Sequence, residues 1–354
     1  MGIVSEVAPS SEHRSTRTLY RWDLDKTYLS TDFDSLGGLL RAAVEKAADK
    51  RTFPGARALL RELCATEPCG LYILSGSPQQ MRPVIEEKLK LDGIRWDGLV
   101  LKPSLNRLLR GRFRFLRDQV SYKLTALLSS RLSLPSACDE VMFGDDAEAD
   151  AFVYSLYVDL CAGRAGLDLL ARVLELSRAY DDDAARVLEL ARGVPRVELG
   201  GRIFIHLERV EPSSVFSGFG PRVCAFHNYF QPALVLVEDG LLGADAAMRV
   251  GLELVHEHAF SPDALAASYG DLVRRGLLSA RAGASLGEAA EALQPSFAGE
   301  RALSAFLRTQ RSLSLPERAI QPRLEEDLDY LTLFPTDKAR AIRAKTRARA
   351  RKMR

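Results

Sequence analysis

The strongest restriction on the fold is a set of four short apolar segments, each leading directly to polar residues. Leu19–Trp22 runs into Asp23-Leu24-Asp25, Leu71–Leu74 into Ser75-Gly76-Ser77, Gly98–Leu101 towards Lys102, and Val141–Phe143 into Gly144-Asp145-Asp146. Between them lie residues with helical spacing: Leu36, Leu39, Leu40, Ala43, Val44 and Ala47, then Met81, Val84, Ile85 and Leu89, then Val120, Leu124, Leu127 and Leu128. Short strands alternating with amphipathic helices predict an α/β fold around a parallel sheet. In open sheets of this kind ligands gather beyond the carboxyl ends of the strands, so polar strand ends predict one converging site.

The local signals refine this order. Phe53-Pro54-Gly55 opens a helix through Cys64. Ser77 as N-cap, Pro78 at the first position and Gln80 at the third predict a capped helix that Gly93 ends. Gln119–Leu132 reads as a helix, as do stretches around Ala149–Leu160 and Leu167–Arg192, and Ile203–Leu207 reads as a fifth strand. The expected division is an α/β domain over 15–210, with a helical segment at about 163–197 before the strand at 203–207. A mainly α-helical region follows over 211–335, and a basic tail over 336–354. Within 211–335, Val223–Asn228 and Ala233–Val237 read as strands, and Ala244–His258 and Pro262–Leu278 as helices.

Composition adds two constraints. With 47% hydrophobic and 27% charged residues the chain is not of a disordered type. The net charge of +2 conceals nine Lys or Arg and no acid from Lys338 to Arg354, leaving 40 basic against 47 acidic side chains elsewhere. That tail is expected to be a solvated extension, dispensable for chemistry on a small substrate. A specific role for it would be recruitment of an anionic membrane surface or nucleic acid. Five scattered cysteines without a CxxC pair predict reduced thiols and a cytoplasmic protein. The N-terminus has no apolar core of a signal peptide, and no apolar run approaches the ~18 residues that span a bilayer.

The polar strand ends suggest a chemistry. Asp23 and Asp25, two residues apart after a strand, can share a pocket, one attacking phosphorus and the other handling the leaving-group proton. Ser75-Gly76-Ser77 offers a hydroxyl and backbone N–H groups for an anion at a helix start, and Lys123 a fixed positive charge. Gly144–Asp150, with Asp145, Asp146, Glu148 and Asp150, suits a hard divalent cation. These carboxylates would repel a phosphate dianion by roughly 4 kcal/mol per pair at ~4 Å and an effective dielectric of 20. Lys123 alone cannot offset three or four such pairs, so a divalent cation is expected. His206, His227, His256 and His258 are expected to be core or surface residues, because His256-Glu257-His258 lacks the spacing of a helical metal motif. Lys102, Arg107, Arg110, Arg112, Arg114 and Arg117 either overhang the site and attract an anion or form a solvated face.

DLDKT at Asp23–Thr27, Ser75, Lys123 and GDDAEAD at Gly144–Asp150, in this order, resemble the haloacid dehalogenase superfamily of phosphatases. FPGARALLREL (53–63), SGSPQQ (75–80), YKL (122–124) and FGDDAEADAFVY (143–154) are most similar to its phosphatidate-phosphatase branch, related to lipin-type domains. The resemblance covers about residues 17–160 and implies a Rossmann-like sheet. The intervals Thr27–Ser75 and Ser77–Lys123 are largely filled by helices and a strand, leaving little room for a cap. It further implies Asp23 as phosphoaspartyl nucleophile, Asp25 as general acid/base, and Thr27, Ser75, Gly76 and Lys123 as phosphate-binding residues. Mg²⁺ would be held by the Asp23 carboxylate, the Asp25 backbone carbonyl and Asp145, with Asp146 and Asp150 each a further ligand, a group behind one, or solvated. Asp23 is expected to ionise at the ordinary carboxylate pKa of ~3.9, and Asp25 at a raised one. The implied activity is hydrolysis of a phosphomonoester, including a lipid phosphate such as phosphatidate. The alternatives are a phosphatase for polynucleotide ends or nucleotides, and a phospholipid- or phosphate-binding module without turnover.

Overall fold

The computed structural model describes residues 18–30, 46–102, 115–134, 138–208, 212–294, 297–322 and 327–352. Six strands form one sheet: β1 (Thr18–Asp23), β2 (Gly70–Pro78), β3 (Gly98–Lys102), β4 (Asp139–Asp145), β5 (Ile203–His206) and β6 (Val223–Phe226). Their order is β3-β2-β1-β4-β5-β6, and every neighbouring pair is parallel. The chain builds outward from β1 to β3, then returns to the other side of β1 and builds outward to β6. The loops leaving β1 and β4 therefore diverge, which opens a crevice at the topological switch point. Asp23 and Asp145, the last residues of these two strands, flank it.

The helices, in chain order, are α1 (Ala56–Ala65), α2 (Arg82–Leu91), α3 (Phe115–Arg131), α4 (Asp150–Ala162), α5 (Leu167–Ser177), α6 (Asp181–Gly193) and α7 (Phe230–Glu238). They continue as α8 (Ala244–His258), α9 (Pro262–Arg274), α10 (Ala280–Leu293), α11 (Phe297–Ser312) and α12 (Tyr330–Lys352). Alternating strand side chains feed two cores, as a sheet buried on both faces requires. Tyr20, Trp22, Val141, Phe143 and Phe204 pack with α1, α2 and α7 to α11. Leu74, Met142, Ile203 and Ile205 pack with α3 to α6 and the start of α12. Burying a side chain such as Phe143 contributes about 1.5–3 kcal/mol, and Trp22 stacks on it at 3.9 Å.

Arg21 interrupts the apolar run of β1 yet is buried. Its guanidinium pairs with Glu140 and donates to Ser130 Oγ at 2.7 Å and Tyr157 Oη at 3.2 Å. Glu140 also accepts from Arg131 at 3.0 Å. A buried charge is tolerable when paired and hydrogen-bonded in this way.

Several expectations are corrected. Ala233–Val237 lies inside α7, not in a strand; a short apolar run buried all round fits either element. The stretch 167–192 is two helices, separated where Arg178 adopts a left-handed φ of 58°. Position 210/211 is not a boundary of the core, since β6 completes the sheet and Tyr229 stacks near Trp22 at 6.0 Å. Nor does a solvated tail begin at 336: α12 runs through it, with Asp337, Arg340 and Ala341 buried. Cys69 and Cys138 form a disulfide, leaving Cys64, Cys161 and Cys224 free, so the expectation of five thiols fails. The parallel register brings the starts of β2 and β4 to either side of Thr18 and Leu19, a proximity that a separation of 69 residues does not reveal.

The helix expected across Leu36–Val44 and the basic residues Arg107, Arg110, Arg112 and Arg114 lie outside the described residues, as does much of the chain that would decide the size of a cap. No helix among the described residues is long and apolar enough to cross a membrane.

Candidate functional site

The chain turns immediately after β1. Tyr28 and Leu29 N–H both donate to the Leu24 carbonyl, at 3.0 and 2.8 Å, and Lys26 takes a left-handed φ of 62°. This tight turn holds Asp23 and Asp25 in one buried crevice. Thr27 Oγ1 lies 3.5 Å from Asp23 Oδ2. The turn is also held from beneath: the Thr27 carbonyl accepts the Tyr229 hydroxyl, and the Lys26 carbonyl accepts His206 Nδ1–H at 3.2 Å. Burial lowers the His206 pKa to about 4, so its ring is neutral at physiological pH and acts as a donor to that carbonyl.

Asp25 faces the end of β2. Ser75 Oγ donates to Asp25 Oδ2 at 2.7 Å, and the Ser77 hydroxyl lies 3.3 Å from both Asp25 oxygens. Tyr122 on α3 donates to the Ser75 carbonyl at 2.7 Å and ties that helix to the strand end. The capped helix predicted at Ser77 does not form. β2 continues to Pro78, a single 3-10 turn follows, and α2 starts at Arg82 without a side-chain cap. The buried Asp25 carboxylate takes the serine hydroxyls instead. Ser75-Gly76-Ser77 is thus the end of a strand, not a helix N-terminus. At Gly76 an added Cβ would meet only Asp25 Oδ2, at 3.8 Å.

Lys123 is the centre of the charge network. It follows Val120 and precedes Leu124 and Leu127 on the buried stripe of α3, and is itself 1% exposed. Its ammonium bonds Asp23 Oδ1 at 2.9 Å, Glu148 Oε2 at 2.9 Å and Asp150 Oδ1. Carboxylate oxygens of Asp23, Asp145 and Asp150 lie within 4.8 Å of one another. Asp145 Oδ1 accepts the N–H groups of Ala147 and Glu148 at 2.6 and 3.0 Å, whereas Asp145 Oδ2 is buried without a hydrogen-bond partner. Asp146 is not among the carboxylates that meet within 4.8 Å. Its N–H donates to the His206 carbonyl, and the chain turns beyond it until Asp150 starts α4 and folds back over Gly144. Asp25 contributes no carboxylate to the cluster either.

Burial first, then Asp150, Glu148 and Asp145, drives the Asp23 pKa well above the ordinary value, with Lys123 opposing. The expected ordinary pKa of Asp23 is therefore overturned. Asp145 and Asp150 are also raised, chiefly by burial, and Asp25 is raised by burial against the pull of the Ser75 hydrogen bond. Burial pushes Glu148 upward too, but Lys123 outweighs it and leaves that carboxyl below its usual range. Lys123 is held charged, its neighbours outweighing the cost of burial. The three buried carboxylates of Asp23, Asp145 and Asp150, one with an oxygen left without a partner, make a donor set that fits a hard divalent cation.

No family model, curated protein or solved structure matches this chain. Its function has to be read from these side chains.

Sequence reasoning placed Asp23, Asp25, Ser75, Lys123 and Asp145 where the structure brings them together. GDDAEAD does not distinguish Asp146 from Asp150, and His206 is the buried residue expected of it, with the added bond to the Lys26 carbonyl. A signal for Lys123 was present, since its spacing from Val120 and Leu124 puts it on the buried stripe. Nothing in the sequence singles out Tyr229, or Arg340 of α12, which donates to the Asp146 carbonyl at 2.6 Å. Removing Lys338–Arg354 would remove Arg340 and this bond with it, so the segment, expected to be a solvated extension, reaches the turn that carries Asp145.

Gly144 has a testable role. A Cβ there would lie 2.4–2.7 Å from Asp150 side-chain atoms. Gly144→Ala should push Asp150 off Lys123 and off the Asp145 N–H, costing about 1–3 kcal/mol in denaturant unfolding. An alanine variant as stable as the parent would show that Asp150 is not confined there.

Proposed function

We propose that this chain is a metal-dependent phosphohydrolase that acts on phosphomonoesters through a phosphoaspartate at Asp23, in the manner of the haloacid dehalogenase superfamily. The observation that carries this reading is the buried constellation of Asp23, Lys123, Asp145 and Asp150 at the switch point, with Asp25 held beside it by two serines. In the proposed reaction an Asp23 carboxylate oxygen bonds to phosphorus as the ester P–O bond breaks. Asp25, its pKa raised, delivers its proton to the departing oxygen. Asp25 then takes a proton from water as that water attacks the phosphoaspartate, releasing phosphate and restoring Asp23. Ser75 and Lys123, now bonded to Asp25 and to the acid cluster, are the donors available to the phosphate oxygens.

Asp23, Asp145 and Asp150, with the Asp25 backbone carbonyl, would hold Mg²⁺. When bound it supplies neutralisation of the phosphate charge and of the charge that develops during transfer. Asp23, Asp25, Lys123 and Asp145 are at most 3% exposed, so a substrate has to open the crevice before it meets Asp23.

Turnover of a generic aryl phosphate is expected to require Mg²⁺ and to vanish with EDTA. Cation at a hundred times its Kd should stabilise the fold by about 2.7 kcal/mol. Asp145→Asn should remove that increment, whereas His256→Ala, distant in the sequence and on α8, should keep it. Full activity in metal-free protein would overturn the reading. The same assay on phosphatidate vesicles, nucleotides and end-phosphorylated oligonucleotides identifies the substrate class.

A further inference from the structure

The acidic turn after β4 is gripped by a residue that belongs to none of the motifs. Arg340 sits on α12 and is 6% exposed. Its Nη1 donates to the Asp146 carbonyl at 2.6 Å and its Nη2 to the Glu148 carbonyl at 3.4 Å. Its orientation is fixed twice over. Nε donates to Asp337 Oδ1 at 2.9 Å, and the guanidinium carbon lies 4.6 Å from the centre of the Phe216 ring.

The Asp146 carbonyl and the Ala147 N–H are the two ends of one planar peptide unit. The N–H end is the group that donates to Asp145 Oδ1 at 2.6 Å. A cation bonded to the carbonyl end polarises the unit and strengthens the donor at the other end. Glu148 N–H gives Oδ1 a second bond at 3.0 Å, and the Glu148 carbonyl is the other group that Arg340 reaches. Asp145 is thus anchored through Oδ1 alone. Oδ2 is left buried and unpartnered beside Asp23 and Asp150.

We propose that Arg340 is a positioning residue of the cation site: acting through the 146–147 peptide, it fixes Asp145 so that Oδ2 is presented to a divalent ion shared with Asp23 and Asp150. This rests on the metal reading given above. It also accounts for a buried arginine in the middle of an otherwise basic helix. Groups behind a ligand orient it and tune its affinity for the metal, and losing such a group typically costs about 10–100-fold.

The test uses the full chain in two measurements: calorimetric titration with MgCl₂ and MnCl₂, and amide exchange of cation-free protein over residues 145–149. Three variants separate the causes. Arg340→Met removes the guanidinium. Arg340→Lys keeps a charge and a single donor group. Tyr330→Phe loosens the same helix elsewhere, by removing the bond from its hydroxyl to Asp159 Oδ2 at 2.5 Å. Arg340→Met should weaken cation binding about 10–100-fold and speed exchange at Ala147 and Glu148. Arg340→Lys should recover part of both effects, and Tyr330→Phe should lower the melting temperature while changing neither. Unchanged exchange or undiminished affinity in Arg340→Met overturns the inference, as does an equal affinity loss in Tyr330→Phe. A parent chain that binds neither ion overturns the metal reading itself, a result distinguishable from the others.

Discussion

Asp23→Ala is expected to abolish turnover and to lose every covalent-like adduct with a metal-fluoride phosphate mimic. Asp23 is the cluster carboxylate that shares the turn after β1 with Asp25, whose carboxyl is held by Ser75 and Ser77. Asp25→Asn should behave differently, slowing an alkyl phosphate by about 10²–10⁴-fold, the usual worth of a positioned acid or base. Its effect should be smaller on nitrophenyl phosphate, whose leaving group needs no proton, and phosphoenzyme should accumulate because the second half-reaction loses its base. The pH dependence follows from the raised Asp25 pKa. Asp25 donates only when protonated, so kcat/KM for the alkyl substrate should fall as pH rises through that raised pKa. The aryl substrate should show this limb weakly. Equal losses on both substrates, with no phosphoenzyme, would assign the proton transfer to another group.

Lys123→Met should give the largest change in stability, and it does not depend on the enzymatic reading. The ammonium bonds three buried carboxylates, those of Asp23, Glu148 and Asp150. Removing one partner of a buried ion pair typically costs about 3–5 kcal/mol, because the remaining charge is left uncompensated. The loss should depend on pH in a definite sense. Asp23, Asp145 and Asp150 already have folded-state pKa values above their unfolded ones. Without Lys123 those of Asp23 and Asp150 rise further. A carboxyl raised in this way favours the fold fully below its unfolded pKa, and that contribution is lost as pH rises through the folded value. The variant should therefore recover stability relative to the parent as pH falls through the raised folded values towards the unfolded carboxyl pKa of about 4. Lys123, raised in the parent, stabilises at all pH values below its unfolded pKa of about 10.4. A deficit that stays constant with pH would mean that the carboxylates are not the groups left exposed to the loss.

The two halves of the site were not equally legible. The β1 and β4 ends could be read because a short apolar strand followed by clustered carboxylates is a local pattern. At the β2 end Ser75 and Ser77 do meet the β1 turn, but as the end of a strand and not as a helix start. Ser77-Pro78-Gln79-Gln80 is a good helix start taken alone, but a buried Asp25, distant in sequence, competes for the serine hydroxyls and wins. Asp146 and Asp150 were equivalent as letters in GDDAEAD. Only the turn that carries the chain over Gly144 decided that Asp150 joins Asp23 and Asp145.

By itself the sequence determined the strands of the α/β half and the polar residues at their ends, because strand periodicity and strand-end polarity are set by neighbours within a few residues. Tertiary structure alone decided what closes on that site. The pairing of β6 with β5, the disulfide between Cys69 and Cys138, the Tyr229 and His206 bonds beneath the Asp23 turn, and the reach of Arg340 to the Asp146 carbonyl all join residues remote in the chain. Such contacts depend on where the sheet places its strands, and no local pattern of residue types encodes that placement. A run of lysines and arginines at the C-terminus reads as a solvated face. One of them is nevertheless an internal hydrogen-bond donor, since the helix carrying it packs where Asp337 and Phe216 receive its guanidinium.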